Sequence, residues 1–233
     1  MSASQRNAIF LQFSRLLRDL QQRAPEDREG ALREVADNAA RAVPGARWAG
    51  ITVADRDGKV ESISASHANA IKLDDIQRRT REGPCLAAAW QREAIRVDDL
   101  ATETRWPRFC AEALAETEVR SVLAFDLFAD RRQMGALNFL SDRSHAFDEQ
   151  SVEVGLIMAT HTALAWTMLT RDEQFRGALA SRDLIGQAKG MIMERFDIDS
   201  GAAFDLLKKL SQNSNTSIAE IAAELVRRPR AAP

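Results

Sequence analysis

The chain has 233 residues, of which 45% are hydrophobic and 28% charged, with a formal net charge of −2. That suits a globular protein of one or two domains with a sizeable core, and it argues against binding nucleic acid through bulk positive charge. Two cysteines, Cys85 and Cys110, are too few for a disulfide framework or a structural zinc site, and His67, His145 and His161 lie far apart in sequence.

No metal site or cofactor is therefore expected. No uninterrupted apolar run approaches the roughly 18 residues that span a bilayer. The N-terminus, with Gln5, Arg6 and Arg15 among apolar residues, lacks the layout of a signal peptide. A cytoplasmic protein is expected.

In chain order, Ile9, Phe10, Phe13, Leu16, Leu17 and Leu20 recur at helical spacing, which predicts an amphipathic helix over residues 4–22. Ala24-Pro25 breaks it, and Glu26-Asp27 suit the start of the next helix. That helix carries the stripe Leu32, Val35, Ala36, Ala39 and Val43 and ends at Val43-Pro44-Gly45. The period then changes. Residues 48–54 and 60–66 are short β-rich runs on either side of Asp57-Gly58, a strong hairpin turn. Residues 70–79 read as a helix. Pro84 starts another, at a position where its missing N–H costs nothing. A short strand at 94–97 and a helix at 106–115 follow. Residues 121–128 and 134–140 are longer strands around Asp130-Arg131-Arg132, a second hairpin. From Phe147 a long helix begins, with Asp148, Glu149 and Glu153 near its N-terminus, and a break is expected near Arg176-Gly177.

Past that point the chain reads as three further helices. The first runs over about 181–196. The second starts at a cap supplied by Asp199 or Ser200 and runs to about 212. The third starts at the capping box Ser217-x-x-Glu220 and runs to about Arg228. Leu184, Ile185, Met191 and Ile192 are expected to pack against Phe204, Leu207 and Leu210, and against Ile218, Ile221 and Leu225. From Leu179 onward eight Lys/Arg stand against seven Asp/Glu, so the slight positive excess lies in this part of the chain.

The order of helices and hairpins is that of an α+β fold, an antiparallel sheet with helices packed on it. Glu82-Gly83-Pro84-Cys85, Ile95-Arg96-Val97-Asp98-Asp99, Arg120-Ser121-Val122-Leu123 and Gly135-Ala136-Leu137-Asn138-Phe139 resemble a GAF domain, a small-molecule sensor fold. The run Ser181-Arg182-Asp183-Leu184-Ile185-Gly186-Gln187-Ala188-Lys189-Gly190-Met191 resembles the first helix of the ANTAR family. Those are helical RNA-binding modules that act in transcription antitermination. Ala203-Phe204, Leu207-Lys208, Ser211, Asn215 and Ile218 through Ala222 continue that resemblance at the family's spacing.

The two resemblances together imply a GAF-like sensor with its N-terminal helices over 1–170. A long linking helix and a C-terminal three-helix ANTAR bundle over 171–233 follow. They imply RNA hairpin loops in nascent transcripts as partner, a homodimer, and a place for a small-molecule ligand in the GAF-like part. The RNA-contacting residues implied are Arg182, Gln187, Ala188, Lys189, Gly190, Lys208, Ser211, Asn215 and Thr216. Ala188 and Gly190 would let a phosphate or a loop base approach the backbone beside the charge of Lys189. The alternative for Gly190 is tight helix–helix packing. Cys85, Trp90, Trp106, Phe125 and Phe139 are the ligand-lining candidates of the GAF-like part, with plain core packing as the alternative. Cys85 at a helix start is also a candidate for a thiol of lowered pKa.

No nucleophile–base pair and no P-loop can be argued from spacing, so no enzyme is expected. Two other readings remain. One is a GAF-based dimerisation module that binds a protein partner and no RNA. The other is a DNA-binding helix-turn-helix, but only Val226 to Pro233 is left after the Ser217–Leu225 helix. That is too short for a recognition helix.

Overall fold

A computed structural model describes residues 11, 14, 15, 18, 27–55, 59–91, 94–129 and 133–227. Apart from Leu11, Ser14, Arg15 and Arg18, which are helical, the helix expected at 4–22 lies outside the described residues. So do the Asp57-Gly58 turn, the Asp130–Arg132 connection and the tail beyond Arg227. The chain divides into two units, residues 1–169 and 170–233.

The first unit contains α1 (Arg28–Ala42), β1 (Trp48–Asp55), β2 (Val60–Ala65), α2 (Ala68–Thr80), α3 (Pro84–Gln91), β3 (Ile95–Val97), α4 (Pro107–Glu116), β4 (Ser121–Ala129) and β5 (Gln133–Ser141). It ends with the first part of α5 (Glu149–Phe196). The five strands form one antiparallel sheet in the order β2-β1-β5-β4-β3. Ile51 lies opposite Leu137, and Leu137 opposite Phe125.

Side chains alternate across a strand, and both faces of this sheet are covered. Ala49, Ile51, Val53, Leu123, Phe125, Leu137 and Phe139 face α1 and α5, where they meet Leu32, Val35, Ala36, Ala39, Val154, Met158 and Trp166. Trp48, Val122, Ala124 and Leu140 belong to the opposite layer, with Leu73 and Ile76 of α2, Ala88 of α3 and Phe109 of α4. Burial on both sides explains why β1 reads as a continuous apolar run instead of an alternating one.

Local signals set the helix ends. Asp27 caps α1 by accepting from Gly30 N at 2.8 Å. At α5, Asp148 Oδ1 accepts from Ser151 N at 2.8 Å, and Ser151 Oγ accepts from Asp148 N at 3.1 Å. A methyl at Gly155 would lie 2.4 Å from the Phe125 ring. Glycine is what lets α5 come this close to the sheet.

The stretch Glu149–Arg171 has a mean hydropathy of 1.3 and, contrary to the expectation from uninterrupted apolar runs, is long and apolar enough to cross a membrane by length and composition. Of that window, 44% is buried inside the protein. The face carrying Val154, Met158, Ala159, Ala165, Trp166 and Leu169 is part of the core.

The second unit holds the rest of α5, then α6 (Ser200–Ser214) and α7 (Ile218–Arg227). The break expected near Arg176-Gly177 is absent, and α5 runs through it. A single glycine costs a helix only about 1 kcal/mol, and no proline follows to enforce a stop. Asp197, with φ 50°, terminates α5 instead. Asp199 caps α6 by accepting from Ala202 N at 2.8 Å. The capping box at α7 forms: Ser217 Oγ accepts from Glu220 N at 3.2 Å, and Glu220 Oε2 accepts from Ser217 N at 3.0 Å.

The core of this unit differs from expectation at three residues. Met191, Phe204 and Leu210 are exposed. Ala188, Ala203 and Ala222 take the innermost places with Ile192 and Leu207, and Leu184, Ile185, Ile218, Ile221 and Leu225 pack around them. Alanines at the centre let the end of α5, α6 and α7 approach closely, which leaves Met191, Phe204 and Leu210 at the rim.

Candidate functional site

Ala188, Lys189 and Gly190 have three different environments. Ala188 is 0% exposed and belongs to the core of the bundle, so its side chain does not reach a surface. Lys189 is half-buried, with Nζ 6.0 Å from the centre of the Phe204 ring. That distance is near the outer limit for a cation–π contact. Gly190 is exposed, and a methyl there would meet nothing within 4 Å. The helix-packing explanation for Gly190 therefore has no neighbour to support it. Gly186, one turn earlier on the same strip of α5, is equally open. Arg182 and Gln187 are both exposed, with Arg182 on the glycine strip and Gln187 about 100° around the helix from Gly186.

On α6, Phe204, Lys208 and Ser211 follow each other at i, i+4 and i+7, so they share one face, and Asn215 follows just past the end of the helix. Lys208 and Asn215 are exposed, and Phe204 keeps 39% of its surface in solvent. Ser211 Oγ donates to Thr216 O at 2.6 Å, and Thr216 Oγ1 donates to Ser214 O at 3.2 Å. These two hydroxyls hold the turn into α7. Asn215, with φ 52°, caps α6 and leaves its side chain outward.

Among the described residues, Lys189 and Lys208 have no ion pair. The surface strip of Lys189, Phe204 and Lys208 carries two cations and one exposed aromatic ring, with the Asn215 amide at the end of α6; the open backbone of Gly186 and Gly190 lies on the side of α5 turned away from the buried Ala188, about 160° around the helix. Phe204 is the member that residue patterns missed. Its i, i+4 relation to Lys208 was readable, but its apolar character made it a core residue on paper.

In the first unit the five ligand-lining candidates do not share a cavity. Phe125 and Phe139 lie on the α1/α5 side of the sheet, edge to face with ring centres 6.0 Å apart. Cys85 and Trp106 lie on the α2–α4 side. Strand parity is the reason: Phe139 and its neighbour Asn138 point to opposite faces. The side chain of Trp90 lies outside the described set. Trp106 is half-buried beneath the Arg105 guanidinium, 4.4 Å from its ring centre.

Cys85 is fully enclosed, and burial pushes its thiol well above the ordinary range, with the nearby Asp74 adding to the rise. That is the reverse of a reactive, lowered thiol. Its backbone N–H donates to Gln77 Oε1 at 2.9 Å. Gly83 makes that contact possible. It has φ +140°, and a methyl on it would lie 2.5 Å from Gln77 Oε1. Glu82 works outward: its carboxylate takes Arg108 Nε at 2.8 Å and Arg108 N at 3.1 Å at the start of α4, and the Arg108 bond holds its pKa below the usual range. The Glu82–Cys85 motif thus fastens α2, α3 and α4 together. A separate cleft of about 220 Å³ is lined by Asp37, Arg41, Arg47, Trp48 and Ser66, none of them an expected ligand residue.

Family models match both units. One described as a GAF domain covers residues 25–167, and one described as an ANTAR domain covers residues 173–226. The chain belongs to the GAF-ANTAR family.

Solved structures agree on the GAF fold. The GAF domain of a phosphoenolpyruvate-protein phosphotransferase from Coxiella burnetii is 18% identical with a TM-score of 0.50, over 70% of this chain and 96% of that one. An N-acylhomoserine-lactone-dependent LuxR-family transcription factor from Burkholderia cenocepacia is 18% identical with a TM-score of 0.53, over 68% and 94%. The chromophore-binding domain of a bacteriophytochrome from R. palustris is 13% identical with a TM-score of 0.54, over 74% and 64%. These likenesses are of fold alone. No curated protein sequence matches this GAF-ANTAR chain. The two matched domain types point to regulation.

Proposed function

We propose that this protein is a cytoplasmic, RNA-binding antitermination regulator. Its GAF domain receives a signal, and its ANTAR domain stabilises antiterminator hairpins in a nascent transcript, so that a terminator does not form. The observation that carries this reading is the surface strip of Lys189, Phe204 and Lys208 with Asn215 at the end of α6, on a helix pair whose α5 also leaves its backbone open at Gly186 and Gly190. Recognition of RNA sequence relies on loop bases that can be splayed out, stacked on aromatic rings and hydrogen-bonded at their edges. Phe204 offers the ring, Asn215 a donor and acceptor, and Lys189 and Lys208 the charge for phosphates. The glycine notch leaves room for a phosphate or base against the helix backbone. Arg182 extends the charge along α5. Ala188, Ser211 and Thr216 act indirectly, by building the core and the turn.

Two such modules read a pair of hairpins, which fits a homodimer. The exposed apolar side chains Leu164 and Met168 on α5 support one, at 50% and 42% exposure. Binding of the full chain to an RNA with two hairpins, compared with a fully paired duplex of equal length, tests the reading. Preference for the hairpin RNA, lost in Phe204→Ala, is expected. Equal binding to both RNAs would instead favour the GAF-based interaction module without an RNA target.

A further inference from the structure

On the α2–α4 side of the sheet lies a group of polar side chains with no charge partner. Asp74 of α2 is 4% exposed. Its Oδ1 accepts from Thr52 Oγ1 of β1 at 2.7 Å and from Gln77 Nε2 at 3.3 Å. Thr52 in turn accepts from Asn138 Nδ2 of β5 at 2.8 Å. Asp74 Oδ2 and Asn138 Oδ1 are buried without a hydrogen-bond partner, and so is the hydroxyl of Ser62 on β2, which lies opposite Thr52 and bears on the Asp74 carboxyl. The other titratable groups bearing on the carboxyl are Asp75 beside it, which is paired with Arg78 at the surface, and the Cys85 thiol from α3. On α4, Glu112 and Glu116 are bound to Arg79 on the exposed side of α2. From β1, β2 and β5 the described polar side chains on this side are Thr52, Ser62 and Asn138, all uncharged.

An ionised carboxylate is costly in such a place. It is faced by neutral groups alone, with no cation among them, and burial disfavours the charged form. A proton on Oδ2 removes the charge and creates a donor among several empty acceptors. We propose that Asp74 and the polar side chains around it form a proton-binding site: with the proton on, α2 and α3 lie packed on the sheet, and with it off the buried charge opens that packing to water. The proton is then an input that the GAF domain can read without an organic ligand. This inference stands apart from the RNA reading, since it concerns the first unit by itself.

Burial pushes the Asp74 carboxyl up to about 7 in the folded protein, from an ordinary value of 3.8. Opening exposes the group and returns it toward the lower value. Between those two values the packed form holds a proton that the open form has lost, so opening becomes easier as pH rises, by at most about tenfold per pH unit, and levels off above the higher value.

Carbon-13 NMR titration of the aspartate carboxyl resonances in the full chain tests this, with hydrogen exchange at the α2 and α3 amides read beside it. One carboxyl resonance is expected to titrate near neutral pH and to be missing in Asp74→Asn. Exchange in the wild type relative to Asp74→Asn is expected to climb between pH 5 and 7 and then flatten. Should Asp74→Asn fail to fold, Thr52→Val serves, because loss of that donor moves the titration midpoint upward. An Asp74 already ionised at pH 5, a midpoint indifferent to Thr52, or an exchange ratio independent of pH would overturn the proposal.

Discussion

Lys189 and Lys208 carry the charge of the proposed RNA face, and neither has an ion pair among the described residues, so removing either should leave the bundle folded. Lys189→Ala and Lys208→Ala are each expected to weaken hairpin binding and to flatten the dependence of log affinity on log salt by about one. Affinity measured across a salt series checks this, with circular dichroism confirming that the helices persist. Asp74 gives a pH prediction of definite sign. Its folded pKa of about 7 lies above the ordinary 3.8, so its contribution is fully present below the lower value and lost as pH rises through the higher one. Asp74→Asn should match the wild type near pH 4 and be more resistant to urea at pH 8. Equal urea midpoints at pH 8 would contradict the assignment.

At the scale of elements, much of the fold was legible from sequence. The two hairpins, the capping box at Ser217 and the apolar stripe of α1 follow from local chemistry: hydroxyl and carboxylate oxygens at helix starts, and period-two against period-3.6 patterns. Strand parity was present in the sequence as well, yet the aromatic candidates were grouped by residue type. Phe125 and Phe139 then turned out to lie across the sheet from Cys85. The Glu82–Cys85 motif was visible as a string, but its purpose depends on Gln77, which only folding brings to Gly83. Likewise Met191, Phe204 and Leu210 have core-like side chains. The short alanine-centred packing of Ala188, Ala203 and Ala222 sends them outward, and no pattern of hydrophobicity reports how closely helices approach. Asp74 was silent because a buried carboxyl and an exposed one look alike in sequence. Close approach also sets a prediction for α5. Gly155→Ala would place a methyl 2.4 Å from the Phe125 ring. Overpacking of that kind is expected to cost about 1–3 kcal/mol, read as a lower urea midpoint for the GAF domain.

For the whole molecule, α5 leaves Leu164 and Met168 exposed on its first part and Phe175 and Leu179 on its second, the residues expected to be covered in the proposed homodimer. Light scattering at tens of micromolar protein should report twice the mass of one chain, and Leu164→Glu with Met168→Glu should return the monomer. A wild-type monomer with RNA present or absent would rule this out. The most direct test of an antitermination regulator is transcription in vitro from a template whose terminator is preceded by a pair of hairpins. Wild-type protein is expected to increase read-through, and the Lys189→Ala, Lys208→Ala double variant to leave it at the level without protein. Read-through unchanged by the wild-type chain, or raised equally by the double variant, would contradict the account.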